Sequence, residues 1–284
     1  MTTQIYYFSG TGNSLFVARE LQKRLEDTEI EPIVRFIDQP KVQVSGSVIG
    51  IVFPVHALTI PVVVKRFIMK TDFGSANYIF AVATRYGSVF RGFEKISKLL
   101  RKKRKSLDSR LVLNMGHNEG RHKGYIAPSK EDIEIMEKDA LQKLDAFAKI
   151  VRENKTSLPA DTGVTLPTGK NRLTSFLIEK TVLWGMDLSA HIGGVQYFYA
   201  DENCNGCGTC AKVCLSGKIA MQNNRPVWQK NVLCTMCFAC LNYCPKRAVQ
   251  ISDIPGVRSY TKENGRYSHP YASSADIMEQ RCKN

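Results

Sequence analysis

The chain has 284 residues, 43% of them hydrophobic, and a formal net charge of +14, which is enough length for one large and one small domain and ample apolar content for a core. No stretch approaches the roughly 18 apolar residues of a membrane span, since the most apolar part of the middle region, Leu173 to Ile178, is stopped by Glu179 and Lys180. The N-terminus reads as a strand without the basic region or cleavage site of an export signal, so a cytoplasmic protein with no membrane span is expected.

The first 155 residues alternate apolar strands with amphipathic helices. Gln4 to Phe8 predicts a strand, and Asn13 to about Glu26 a helix with Val17, Leu21 and Leu25 on one face. Strands follow at Pro32 to Ile37 and Val48 to Phe53, and Pro61 is placed at the first position of the next helix, where its missing N–H costs nothing. Tyr78 to Thr84 and Leu111 to Met115 are further strands, with a basic helix from about Phe90 to Lys103 between them. The last helix, about Lys130 to Val151, carries Ile133, Met136, Ala140, Leu144, Phe147 and Val151 as one stripe for burial. Five apolar strand runs separated by helices predict a parallel sheet covered on both faces. The link Asp38 to Ser47 is short for a helix, which is expected to be reduced or missing.

Residues 156–196 read as a bridge between domains, Pro/Gly/Thr-rich and then amphipathic through Leu173, Phe176, Leu177 and Trp184. Residues 197–252 form a cysteine domain and 253–284 a polar tail, in which Ser273 and Asp276 match a capping box before a short terminal helix.

The first strand leads into SGTGNS, Ser9 to Ser14, at the start of a helix. Hydroxyls at Ser9, Thr11 and Ser14, the Asn13 amide and glycines that let backbone N–H groups approach closely suit a phosphate at a helix N-terminus. No G-K-[ST] follows, and Leu15 stands where the dinucleotide fingerprint needs its third glycine. A Ser/Thr/Asn-rich helix cap is the alternative. The loop resembles the flavodoxin phosphate loop, (S/T)-x-T-G-N-(S/T), on Ser9, Thr11, Gly12, Asn13 and Ser14. That resemblance implies an FMN at the C-terminal ends of the strands, its ring enclosed by Pro54, Val55, His56 and Ala57 after the third strand and by Thr84, Arg85, Tyr86 and Gly87 after the fourth. Tyr86 is the candidate to stack on the ring. Asn114 to Lys123 is a candidate cover for flavin or substrate, although a polar surface loop is the preferred reading of its His117 and His122. Both ring loops lack Asp and Glu but hold His56 and Arg85, with Arg91 close behind. This predicts a flavin potential less negative than in an acidic flavodoxin.

Eight of the nine cysteines lie between Cys204 and Cys244, with Cys282 apart as a spare thiol. In a reducing compartment thiols stay free, and grouped cysteines hold metal more often than disulfides. CNGCGTCAKVC from Cys204 and CTMCFACLNYCP from Cys234 are each C-x2-C-x2-C-x3-C, 30 residues apart, and the match continues from Ile219 to Val249 and from Met221 to Ile251. Structural zinc takes ligands in pairs and leaves the third cysteine of each run without a use. The runs resemble those of bacterial 2[4Fe–4S] ferredoxins, with Leu215 departing from the pattern where the second run has Pro245. That resemblance implies crosswise ligation: one [4Fe–4S] cluster on Cys204, Cys207, Cys210 and Cys244, the other on Cys234, Cys237, Cys240 and Cys214.

As a whole the chain is similar to the fusion proteins of anaerobes that join a flavodoxin-like domain to a bacterial 2[4Fe–4S] ferredoxin domain. The resemblance implies an α/β flavodoxin-like domain with a five-stranded, doubly wound parallel sheet over residues 1–155, plus a small α+β ferredoxin domain. It implies an iron–sulfur flavoprotein that exchanges one- and two-electron equivalents with partner redox proteins. Clusters and an FMN phosphate would lower the formal charge to roughly +8, which still favours an acidic ferredoxin- or flavodoxin-type carrier or a reductase as partner. Two alternatives stand beside this: an FMN-dependent terminal reductase of a small molecule, and a nucleic-acid-binding redox sensor suggested by Arg101-Lys102-Lys103-Arg104-Lys105. A solvated helix end is the preferred reading of that run.

Overall fold

A computed structural model describes residues 2–56, 58–87, 90–161, 181, 184, 185, 197–253 and 257–281. In the first half the strands are β1 (Thr3–Tyr7), β2 (Thr28–Pro32), β3 (Val42–Gln43), β4 (Val48–Pro54), β5 (Thr71–Asp72), β6 (Tyr78–Arg85) and β7 (Ser109–Asn114). Five of them make one parallel sheet in the order β2-β1-β4-β6-β7. This is the doubly wound 2-1-3-4-5 order of flavodoxin-like folds, with its switch point between β1 and β4. The central strands β4 and β6 are buried along their length, apart from half-buried Pro54, as strands covered on both faces must be.

Helices α1 (Asn13–Arg24), α2 (Val62–Lys70), α3 (Gly92–Arg101) and α4 (Lys130–Arg152) cover the sheet. Leu15, Val17 and Leu21 of α1 and Ala140, Leu144 and Phe147 of α4 pack on one face with Ile5, Val52 and Phe80. Val64, Phe67 and Ile68 of α2 and Phe93, Ile96 and Leu100 of α3 pack on the other with Phe8, Ile51 and Phe53.

Several expectations need correction. The second strand is not Pro32–Ile37. That apolar run makes a three-ten turn, Ile33–Phe36, with Ile33 and Val34 tucked into the core. The strand is Thr28–Pro32, an edge whose Glu29 and Glu31 need little apolar cover and whose final Pro32 sits at an edge position, where proline is tolerated. Pro61 is the N-cap of α2 rather than its first helical residue. The α4 stripe is buried only from Ala140 onward, Ile133 and Met136 being half-exposed. Asp38–Ser47 does lack a helix, and β3 within it pairs with β5 as a small parallel extension.

In the cysteine-bearing region, β8 (Phe198–Ala200), α5 (Thr209–Lys212), β9 (Ile219–Gln222), β10 (Arg225–Trp228), α6 (Ala239–Asn242) and β11 (Val249–Ile251) surround a small core of Phe198, Ile219, Leu241, Val249 and Ile251. Asn223 and Asn224, both left-handed at φ 47° and 58°, turn β9 into β10, and β8 pairs antiparallel with β11. Helices α5 and α6 stand 30 residues apart, so the sequence repeat is also a structural one. Val213, Leu215 and Ala239 continue into the α2–α3 face of the sheet core.

The tail is folded onto the sheet half. Helix α7 (Ser274–Glu279) starts with the expected Ser273–Asp276 capping box and buries Ile277 in the same core. The expected amphipathic face through Leu173, Phe176 and Leu177 lies outside the described residues, as does Cys282, while Trp184 is 67% exposed. Among the described residues no helix is long and apolar enough to cross a membrane.

Candidate functional site: a cavity between the glycine loop and a cysteine loop

At the C-terminal ends of the strands lies a cavity of about 350 Å³. Its lining joins three parts of the chain: Ser9, Thr11, Asn13 and Ser14 of the glycine loop, Pro54, Val55, His56, Thr84, Arg85 and Tyr86 of the two strand-end loops, and Cys234 to Phe238. Gly12 and Gly87 do not reach the lining, and Ala57 lies outside the described residues.

The glycine loop is held from several sides. Gly12 (φ 101°) is the N-cap of α1, and its N–H donates to Ser9 Oγ at 3.1 Å. Asn118 Nδ2 donates to Thr11 Oγ1 at 2.9 Å, Asn13 Nδ2 to the Gly116 carbonyl at 2.8 Å, and Ser14 and Thr84 share a hydroxyl bond of 2.8 Å. No side chain caps α1, and its first turn holds no acidic residue, whereas α4 and α7 each carry a complete capping box. The first intrahelical bond runs from Phe16 N–H to the Gly12 carbonyl, so the N–H groups of Asn13, Ser14 and Leu15 have no acceptor within the helix.

The tail closes over this loop. His269 N–H donates to the Thr11 carbonyl at 2.8 Å, Tyr267 Oη to Asn13 Oδ1 at 2.8 Å, and Gln280 Nε2 to the Ser9 carbonyl at 2.8 Å. A Cβ on Gly12 would meet the Ala272 and His269 side chains at 2.4 and 2.8 Å. On the other side a Cβ on Gly10 would meet the Cys237 carbonyl oxygen at 2.1 Å. Both glycines therefore serve packing by other parts of the chain as well as loop geometry.

The expected positive surroundings of the ring loops are largely cancelled. Arg85 is buried, and its Nη1 bonds both carboxylate oxygens of Asp161 at 2.6 and 2.7 Å, while Nε bonds Asn114. Burial pushes the His56 imidazole down to about 4, so it is neutral at pH 7. The cavity also contains Glu119: burial raises its pKa, but His122, with Nε2 3.6 Å from Oε1, and the charges of His117 and Arg121 outweigh this and hold it below the usual range. Of the three cations behind the expected flavin potential, Arg85 is thus paired and His56 uncharged.

Gly116, His117, Asn118 and Glu119 line the cavity, which overturns the surface-loop reading for His117. His122 stays outside the lining, and the neighbouring Glu119 carboxylate raises its pKa. Tyr86 is 59% exposed and stacks on His117 at 4.9 Å. The signal for this loop was its Gly, His and Asn content, which shows neither helical nor strand periodicity.

All eight described cysteines are free. Burial, with the nearby thiols of Cys244, Cys204 and Cys207, pushes Cys210 up to about 11. Burial, with Cys237 and Cys214, pushes Cys234 up to about 12, and Cys240 is raised well above its ordinary value by burial and by Cys237, Cys234 and Cys214. Cys210 of the other run also raises Cys240. Short donors reach the sulfurs: Met236 N–H to Cys234 at 3.4 Å and Ala248 N–H to Cys244 at 3.3 Å, with the Thr209 hydroxyl 3.4 Å from Cys207. Among the described residues no three His, Cys, Asp or Glu side chains converge closely enough to hold a single metal ion.

The two cysteine runs share a backbone conformation but fill it with different residues. Gly206 and Gly208 have φ of 75° and 74°, and their counterparts Met236 and Phe238 adopt the same left-handed conformation at 54° and 57°. A non-glycine residue there is strained by roughly 1 kcal/mol or more. Met236 and Phe238 line the cavity and also pack against the small core around Phe198.

The run Arg101–Lys105 closes α3: Lys102 is its C-cap, and Lys105 Nζ donates to the Ala76 carbonyl at 2.6 Å.

No family model matches the chain, and no curated protein matches it. Similar solved structures include a protein designated a flavoprotein from Bacteroides uniformis, 17% identical over 40% of this chain and 90% of that one, with a TM-score of 0.31. Rubredoxin oxygen:oxidoreductase from Desulfovibrio gigas is 12% identical over 53% of this chain and 37% of that one, with a TM-score of 0.32. The Trp repressor binding protein from Bacillus subtilis is 11% identical over 51% of this chain and 97% of that one, with a TM-score of 0.34. Likenesses at this level carry no functional argument, and the fold assignment rests on the strand order.

Proposed function

We propose that the chain is an electron-transfer iron–sulfur flavoprotein, carrying two [4Fe–4S] clusters in a ferredoxin-like domain and FMN in the cavity of the flavodoxin-like domain. The observation that carries the reading is that Cys234 and Cys237 line the same cavity as the glycine loop. A cluster is a one-electron carrier and FMN exchanges one or two electrons, so together they convert between the two kinds of equivalent.

The residues fit both groups. The uncapped N-terminus of α1 and the hydroxyls of Ser9, Thr11 and Ser14 suit the FMN phosphate. The cavity lies within the range of small-cofactor sites, and Pro54, Val55, Met236 and Phe238 are apolar members of its lining. Cys204, Cys207, Cys210 and Cys244 would hold one cluster, and Cys234, Cys237, Cys240 and Cys214 the other, with donors to the sulfurs that favour thiolates. The second set adjoins the cavity, whereas the first includes the exposed Cys207 and so offers a way in from a partner. The basic surface favours an acidic carrier as that partner. A reducing cytoplasm, where thiols stay free, belongs to this reading.

Protein purified without oxygen should contain iron, sulfide and FMN in the ratio 8:8:1, which follows from two cubes and one flavin. Colourless protein that binds zinc would overturn the reading. A terminal reductase is the second reading, favoured by the exposed Tyr86 stacked on His117 beside the cavity. Turnover with small electrophiles and no acidic carrier would select it.

A further inference from the structure

Lys218 is among the largest fully buried side chains, at 1% exposure. Its Nζ donates to the carbonyls of Gln229 and Val232, each at 2.6 Å, and its own carbonyl accepts from Gln229 N–H at 2.8 Å. Among the described residues it forms no ion pair with a carboxylate. An ammonium removed from water and held only by neutral carbonyls is costly and calls for a nearby anion.

The lysine lies four residues after Cys214 and fastens the segment that ends, two residues beyond Val232, at Cys234. It therefore joins the two stretches that supply the second cysteine set. In the other half of the repeat, 30 residues on, the matching residue is Ala248. The cations near the first set are of another kind: Lys212 acts on the exposed Cys207, and half-buried Arg266, beside Arg247 and Cys244, is spread over the carbonyls of Leu241, Val249 and Thr261.

We infer that Lys218 is the internal counter-charge of the cluster held by Cys214, Cys234, Cys237 and Cys240, and that it raises the reduction potential of that cluster alone. This rests on the proposed function, because the anion is the cluster with its four thiolates. Each reduction adds negative charge, so a fixed cation at low local dielectric favours the reduced form. The cluster next to the flavin cavity is thereby the easier of the two to reduce by this contribution.

The test is a potentiometric titration of the anaerobically prepared holoprotein, followed by electron paramagnetic resonance, for wild type, Lys218→Met and Lys218→Gln. Lys218→Gln keeps N–H donors for the carbonyl clamp and removes only the charge. In both variants one cluster couple should shift about tenfold toward the oxidised form, which is about 59 mV for one electron, while the other couple and the flavin stay in place. Two cluster couples at wild-type potentials in Lys218→Gln would overturn the inference, as would an equal shift of both. Loss of one cluster from both variants would make Lys218 a structural clamp and would equally overturn it. Wild-type protein without iron and sulfide would instead defeat the proposed function.

Discussion

Arg85 ends β6 beside the cavity with its guanidinium bonded to both carboxylate oxygens of Asp161, and both side chains are largely buried, at 6% and 13% exposure. Asp161→Asn leaves that cation with far less compensation. The expected cost is about 3–5 kcal/mol of stability, because breaking one side of a buried pair leaves an uncompensated charge. A melting temperature within a degree of wild type would refute this. His269 gives a pH prediction. Burial pushes its ring down to about 4, and although Nε2 lies 3.3 Å from Glu137 Oε1, the atoms lack hydrogen-bond geometry. The unfolded ring titrates near 6.5, so between there and about 4 the unfolded chain binds a proton that the folded one does not. Stability should therefore fall as pH drops through that window, by about 1.4 kcal/mol per pH unit from this ring. Urea titrations at pH 7, 6 and 5 should show a shallower decline for His269→Gln, and equal slopes would count against the assignment.

The glycine loop meets the cysteine loop so closely at Gly10 that no side chain fits between them. Gly10→Ala must push the Cys237 carbonyl away, and its expected effect is loss of flavin together with a destabilisation of roughly 1–3 kcal/mol from overpacking. Flavin retained at wild-type affinity, measured by fluorescence quenching, would refute it. Elements of this kind explain what was legible beforehand. Strands β1, β4 and β6 could be read because buried parallel strands are nearly continuous apolar runs, edge strand β7 because of its Leu111-Val112-Leu113 run, and the glycine loop because its chemistry is local. Strand β2 could not, because an edge strand can be TEIEP while its apolar neighbour Ile33–Phe36 folds into a turn. The Gly116–Glu119 wall and the pairing of Arg85 with Asp161 depend on contacts between distant residues, which leave no periodic trace.

At the scale of the molecule, sheet, cysteine region and tail share side chains in one core, with Val213, Leu215 and Ile277 packed beside Phe8 and Phe53. The tail grips the start of α1 through Gln280, whose amide both donates to the Ser9 carbonyl and accepts from Ser9 N–H, fully buried. Gln280→Ala should cost about 1–3 kcal/mol by leaving the buried Ser9 groups unsatisfied, and should loosen flavin at the loop beneath. Calorimetry with flavin release as a second reading tests this, and an unchanged dissociation constant would disprove the link. The left-handed Met236 and Phe238, set against Gly206 and Gly208, also mean that the two arms of the duplicated module have stopped being interchangeable twins. Transplanting the glycine arm into the inner position would remove two side chains beside the cavity, and the reverse graft would put greasy side chains beside Cys207 at the outer surface. The old symmetry survives in the trace of the backbone, while the side chains label which end faces inward.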